Sequence, residues 1–280
     1  MKDIFSVWQH LPEHINPVFC QIGPIQIRYY GLMYLSSILV AYGLLLYRLK
    51  HEKFSYTKEL IEDYFFRLII GILIGARLGY VIFYDFAYFS QKPWQIILPF
   101  DVENGFRFTG ISGLSYHGGL LGVIVASFLF CRKNNIDFWE LGDFLVPAVP
   151  LGYAFGRLGN FLNGELYGRV TDMPWGMYFA NAATYELRHP SQLYEMFFEG
   201  IVLFVFFWLI RKRRDIFQRK FLGLYLIGYG GVRFFIEFFR QPDEHLGFVL
   251  GVLSMGQVLC LGMILAGILI VIKNIKLVKS

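Results

Sequence analysis

Between Gly156 and Gly168 the chain reads Gly-Arg-Leu-Gly-Asn-Phe-Leu-Asn-Gly-Glu-Leu-Tyr-Gly, setting Arg157, Asn160, Asn163 and Glu165 among glycines at the end of an apolar run. Ionisable groups at membrane depth are costly and persist mainly where they face a cavity, a partner or a substrate, and glycine lets a backbone or a headgroup come close to them. Two more arginines have similar surroundings: Arg77 in Gly-Ala-Arg-Leu-Gly-Tyr and Arg233 in Gly-Gly-Val-Arg-Phe. Glu237 and Arg240 follow Arg233 at helical spacing, which places the three on one helix face and lets Glu237 hold Arg233. In Tyr116-His117-Gly118-Gly119 the glycines leave the imidazole accessible, and histidine is the side chain best suited to take a proton near neutral pH. Guanidinium groups with a nearby base suit chemistry on an anion.

Composition decides what positions these groups. Of 280 residues 56% are hydrophobic, 19% aromatic and only 17% charged, whereas a soluble domain carries about 25% charged residues. Apolar runs recur at about the 20 residues needed to cross a bilayer. They fall near 30–47, 65–84, 111–131, 138–155, 191–210, 221–239 and 249–272. The expected fold is an all-α integral membrane protein, one domain over 1–280 with seven transmembrane helices and a small external head between the fourth and fifth. The fourth run contains Pro147 and Pro150, and the polar motif begins where that run stops.

Lys and Arg mark the cytoplasmic side. They crowd connections one–two, three–four and five–six and the tail, from Arg48 and Lys50 through Arg211–Arg214 to Lys279. The N-terminus is therefore expected outside and the C-terminus in the cytoplasm, with the net charge of +5 read as a collar facing anionic lipid. Nothing calls for nucleic acid. Residues 1–24 lack the pattern of a cleavable signal and, with Pro12, Pro17 and Pro24, read as an external cap or a surface-lying helix.

In this topology Arg77, Arg157 and Arg233 share one level near the outer leaflet, where the obvious anion is a phospholipid headgroup phosphate. Tyr29 and Tyr30 open the first run there and have an ordinary reading as interfacial belt residues. Cys20, Cys131 and Cys260 are far apart, form no CxxC and receive no function. His10-Leu-Pro-Glu-His14 matches a zinc pattern formally, but Pro12 sits in the turn that would align the histidines, so no metal is expected. A multi-span transporter of an anionic solute or lipid is the rival class. Against it stand the odd number of runs and the gathering of charge at one leaflet instead of the midplane.

The stretch from Gly156 to Gly168 resembles the signature of the prolipoprotein diacylglyceryl transferases. Tyr-Gly-Leu-Met-Tyr at 30–34, Tyr-His-Gly-Gly-Leu at 116–120, Arg-His-Pro-Ser-Gln-Leu-Tyr-Glu at 188–195 and Glu-Phe-Phe-Arg-Gln-Pro-Asp at 237–243 resemble its other blocks, in order and over nearly the whole chain. The resemblance implies an enzyme of the bacterial cytoplasmic (inner) membrane. It would move the diacylglyceryl group of phosphatidylglycerol to the lipobox cysteine thiol in a prolipoprotein signal peptide, releasing glycerol 1-phosphate without a cofactor.

It also implies roles for residues. Arg157 and Arg233 would clamp the lipid phosphate, with Arg77 and Arg240 at the same level. Asn160, Asn163 and Glu165 would orient the headgroup or hold the arginines, and Gly168 would allow a tight turn beside the site. Tyr30 and Glu237 match further functional positions, and His117 matches the histidine proposed as general base. A histidine base and an arginine-assisted deprotonation are both open on these grounds.

Overall fold

The computed structural model describes residues 2–23, 25–97, 100–101, 107–108, 113–241, 248–249 and 253–279. The proline-containing N-terminal segment folds as α1 (Lys2–His10), a 3-10 turn over Leu11–His14 and an antiparallel pair, β1 (Val18–Ile22) and β2 (Ile25–Arg28). Next along the chain are α2 (Tyr29–His51), α3 (Lys58–Phe83), α4 (Phe86–Gln91), β3 (Phe100–Asp101), β4 (Arg107–Phe108) and α5 (Tyr116–Asn134). After these come α6 (Phe138–Leu145), α7 (Val149–Leu162), α8 (Ser191–Tyr194), a π-helical segment over Glu195–Val202, and α9 (Leu203–Ile210). The chain closes with α10 (Arg214–Phe217), α11 (Phe221–Ile236), β5 (Phe248–Val249), β6 (Leu253–Ser254) and α12 (Met255–Lys279). The architecture is mostly helical, with antiparallel two-stranded pairs.

Among the described residues, four helical stretches are long and apolar enough to cross a membrane: Tyr29–His51, Lys58–Phe83, Ser191–Ile210 and Met255–Ile275. Phe221–Ile236 is a shorter apolar helix. Large apolar side chains such as Leu73, Phe83, Leu209 and Leu269 are exposed along these helices, as a hydrocarbon solvent requires.

Several expected boundaries move. Residues 111–112 and 250–252 of the third and seventh runs lie outside the described residues, and the last helix begins at Met255. The fourth run is interrupted by a 3-10 turn over Val146–Ala148, and α7 restarts with Pro150 in its first turn, where no amide donor is required. That helix continues to Leu162, so Arg157 and Asn160 lie within its last turns and not beyond its end. Just past that end, Gly164 has φ +66°, a left-handed conformation suited to glycine.

Cα packing divides the chain into two compact units, one comprising 1–52 with 142–280 and the other 53–141. In the unit 53–141, Thr57 caps α3 by accepting from the Leu60 amide, and Ser115 caps α5 by accepting from Gly118. Here α3 and α5 touch backbone to backbone: a Cβ on Gly75 would lie 2.4 Å from the Gly118 carbonyl oxygen, the close approach that small residues permit between apolar helices.

In the other unit, Val146, Leu203, Phe207 and Phe221 form a buried core joining the turn before α7 to α9 and α11. Near the C-terminal end of α2, Arg48 is 1% exposed. It donates to Glu52 Oε2 at 2.6 Å and to the Asp143 carbonyl at 3.0 Å, while Arg211 Nε reaches Glu52 Oε1 at 3.0 Å. Part of the basic collar expected to face lipid is thus a buried clamp between α2, α6 and the end of α9. Paired charges with saturated hydrogen bonds are the form in which arginines tolerate burial.

The segment 163–190 carries no regular helix and is held by isolated bridges Val170↔Arg188, Met177↔Arg188 and Gly168↔Arg240. The N-terminal helix docks on it. Trp8 Nε1 donates to the Trp175 carbonyl at 2.9 Å, the Tyr178 amide donates to the Gln9 carbonyl at 2.8 Å, and His10 stacks on Tyr178.

Candidate active site

Tyr153, Arg157 and Asn160 project from one face of α7, at i, i+4 and i+7. Opposite them the π-helical segment presents Glu195 and Glu199, both 0% exposed. Its close approach to α7 depends on Gly200, where a Cβ would lie 2.5 Å from that of Ala154. A π-helical stretch inside an otherwise α-helical segment is uncommon and occurs frequently at functional sites.

Glu195 is the hub. Its Oε2 forms ion pairs with Arg157 Nε at 2.7 Å and Arg233 Nη1 at 2.9 Å, and the Tyr153 hydroxyl lies at 3.2 Å. Its Oε1 receives Arg240 Nη1 at 3.3 Å. Arg233 also reaches Glu237 Oε2 at 3.1 Å, one helical turn on, as the spacing predicted. Arg240 does not share that helix, because α11 ends at Ile236 and the Arg240 backbone is engaged in the bridge with Gly168. It meets Glu195 from the end of the turn that follows α11, its amide still bonded to the Ile236 carbonyl at 3.2 Å.

A polar chain leads from Arg157 into the rest of the signature. Arg157 Nη1 donates to Asn160 Oδ1 at 3.2 Å, Asn160 Nδ2 to Glu165 Oε1 at 2.8 Å, and Asn163 Nδ2 to Glu165 Oε2 at 2.9 Å. The Tyr30 hydroxyl, near the start of α2, lies close to Asn160 and Glu165 and donates to Tyr34 at 3.1 Å. Gly168 does not make the expected turn. The positive φ values belong to Gly164 and Leu166, while a Cβ on Gly168 would lie 2.4 Å from the Phe239 carbonyl oxygen, so glycine is needed for close strand approach.

Glu237 is seated against the start of α12. Ser254 Oγ donates to Glu237 Oε1 at 3.2 Å, and Gly256 leaves the space that the carboxylate fills. Ser254 and Gln257 form a reciprocal capping box there, at 3.0 and 3.2 Å. The carboxylate therefore bridges the Arg233 guanidinium and the positive end of a long helix.

Outside the apolar helices, His189 Nδ1 pairs with the Tyr194 hydroxyl at 3.1 Å, and burial pushes the imidazole pKa down.

The remaining two expected site residues belong to the other compact unit. Arg77 donates to the carbonyls of Gln95 at 2.6 Å, Ile96 at 2.8 Å and Gly113 at 3.3 Å, and its guanidinium lies over the Phe89 ring. Those contacts give it a local structural task. His117 is exposed in the first turn of α5.

Tyr153, Glu195 and Glu199 were not among the expected site residues. Their signal was present: two carboxylates four residues apart inside a 20-residue apolar stretch, which by cost alone marks a functional position.

The family model described as prolipoprotein diacylglyceryl transferase matches residues 17–273. The chain belongs to this family. A relative from Chlorobaculum tepidum, named phosphatidylglycerol–prolipoprotein diacylglyceryl transferase, is 54% identical over 269 residues, covering 96% of this chain and 93% of its own. Relatives of the same name from Legionella pneumophila (strain Lens) and Aliarcobacter butzleri are 46% and 44% identical, covering 91% and 95% of this chain and 95% and 99% of theirs. The family match includes the whole signature and every arginine of the Glu195 cluster.

Proposed function

We propose that this chain is a phosphatidylglycerol–prolipoprotein diacylglyceryl transferase, catalysing the first step of lipoprotein maturation. It moves the diacylglyceryl group of phosphatidylglycerol to the lipobox cysteine thiol of a prolipoprotein and releases glycerol 1-phosphate. Family membership and the names of relatives support the reaction. The observation that carries it at the site is the convergence of Arg157 and Arg233 on a single carboxylate oxygen. Two guanidinium groups aimed at one anionic oxygen are what a phosphodiester needs as it becomes a leaving group.

The chemistry balances without a cofactor. The substrate sulfur, once deprotonated, bonds to the glyceryl carbon that carries the phosphate. The carbon–oxygen bond breaks with its electron pair on the phosphate oxygen, and the thiol proton goes to a base. A thiol of pKa about 8.5 needs that base. His117 is our assignment for it, on its chemistry and on the block it occupies. Arg157 and Arg233 hold the phosphate, whose charge grows in the transition state, so their contribution is larger there than in the ground state. Asn160, Asn163 and Glu165 set the tilt of Arg157 and face the headgroup hydroxyls. Tyr30, Glu237, Gly168 and Arg240 complete the wall, and Arg77 ties α3 to the carbonyls of Gln95, Ile96 and Gly113.

The four apolar helices and the skewed Lys and Arg support a multi-pass protein of the bacterial inner membrane, with seven crossings, the N-terminus outside and the segment 163–190 on the outer side. Purified protein in detergent, given phosphatidylglycerol and a lipobox peptide, tests the reaction by mass spectrometry. The peptide is expected to gain a diacylglyceryl mass, and Arg157→Ala to lose that product. Unmodified peptide from folded, lipid-binding protein overturns the assignment.

A further inference from the structure

Glu195 and Glu199 are four residues apart on one π-helical segment, equally buried, yet their surroundings differ. Glu195 takes three arginines. Glu199 has Oε2 on the Tyr153 hydroxyl, while its Oε1 makes no hydrogen bond among the described residues and stands 3.7 Å from Arg233 Nη1. That arginine lies closer to Glu195, at 2.9 Å, and to Glu237, at 3.1 Å. The other groups facing this corner are Arg157 from α7, Tyr229 against the Tyr153 ring, and Cys260 from α12.

The Tyr153 hydroxyl has one hydrogen and three polar neighbours. It accepts from Arg157 Nε at 2.7 Å and also touches Glu195 Oε2 at 3.2 Å and Glu199 Oε2. With both carboxylates ionised, its single hydrogen would serve two anions and leave one oxygen facing another in a dry interior. That arrangement is expensive. A proton on Glu199 resolves it: the carboxylic O–H donates to Tyr153, and Tyr153 donates to Glu195.

The same proton sets the charge of the cluster. Arg157, Arg233 and Arg240 stand against Glu195, Glu199 and Glu237, three cations and three potential anions. We infer that Glu199 is held protonated in the lipid-free protein, leaving this cluster one net positive charge that matches the single negative charge of a phosphodiester headgroup. The inference rests on the transferase reading for the identity of the anion. Glu199 thereby becomes a positioning residue that acts through Tyr153 and Arg233.

Infrared spectroscopy of the purified full chain, combined with the peptide assay, tests this. Wild type should show the carbonyl stretch of a protonated carboxylic acid at neutral pH, absent in Glu199→Gln and present in Glu237→Gln. Its KM for phosphatidylglycerol should rise in alkaline solution, approaching about tenfold per pH unit for one linked proton, while that of Glu199→Gln stays flat. Should Glu199→Gln not fold, the wild-type band and the rise in KM must still titrate together. A missing band, a band that survives Glu199→Gln, or independent titration overturns the inference. Failure of wild type to modify the peptide while the band is present sinks the transferase reading alone.

Discussion

Arg157 and Arg233, carried by different helices, meet on the same oxygen of Glu195, at 2.7 and 2.9 Å. Two cations so close to one atom repel unless an anion lies between them, so the buried glutamate is what keeps both guanidinium groups poised for a second anion. The cost of burying Glu195 is offset by three ion pairs and a tyrosine hydroxyl.

Arg157 serves Tyr153, Glu195 and Asn160 at once through a planar fork. A lysine supplies a point charge and cannot hold all three. Arg157→Lys is expected to lower kcat/KM by about a hundredfold and Arg157→Ala by about a thousandfold, as for loss of a donor to developing charge. Peptide lipidation measured by mass spectrometry checks this, and near wild-type turnover in Arg157→Lys would refute the fork geometry.

Glu195→Gln removes the central anion and leaves three arginines short of a partner. Breaking a buried pair in this way costs about 3–5 kcal/mol, expected as a lower unfolding midpoint in detergent. Added phosphatidylglycerol should restore stability more than it stabilises wild type, because its phosphate replaces the missing charge. Arg48→Ala, in the Glu52 clamp, is the control: it loses stability without that selective rescue.

Gly256→Ala would place a Cβ 2.6 Å from Glu237 Oε1, whereas a Cβ on Gly262 meets nothing within 4 Å among the described residues. Displacing Glu237 frees Arg233 to turn away. The expected result is about a tenfold loss of kcat/KM for Gly256→Ala, roughly one lost charge-assisted hydrogen bond, with Gly262→Ala unchanged. Equal activity in the two variants would show that Glu237 has another seat.

Burial lowers the His189 pKa, so the unfolded chain binds a proton more readily than the folded one. The stability this neutral imidazole contributes is present above the unfolded pKa of about 6.5 and is lost as pH falls below it. His189→Gln should flatten the acid side of a plot of unfolding midpoint against pH. An unchanged acid slope would exclude His189 as its source.

Much of this protein was legible in local pattern. Hydropathy located the apolar helices because the cost of exposing polar backbone and side chains to lipid is paid residue by residue, and helical spacing predicted the pairing of Arg233 with Glu237. Helix ends were less legible. The prolines marked the break before α7, but the end of α7 is set at Gly164, and α11 stops short of Arg240, whose backbone bridges Gly168, a partner distant in sequence.

The sequence by itself determined the membrane class, the family and the identities of the arginines. Only the tertiary structure decided what they face. Glu195 and Glu199 interrupt an apolar run when read along the chain, and no local rule says which cations will reach them. Packing at Gly200 brings the π-helical segment against α7, and the approach of α11 then sets Arg233 beside Arg157. Coulomb interactions depend on distance in space, so the same charges become a neutralised, anion-ready cluster only once the helices have met.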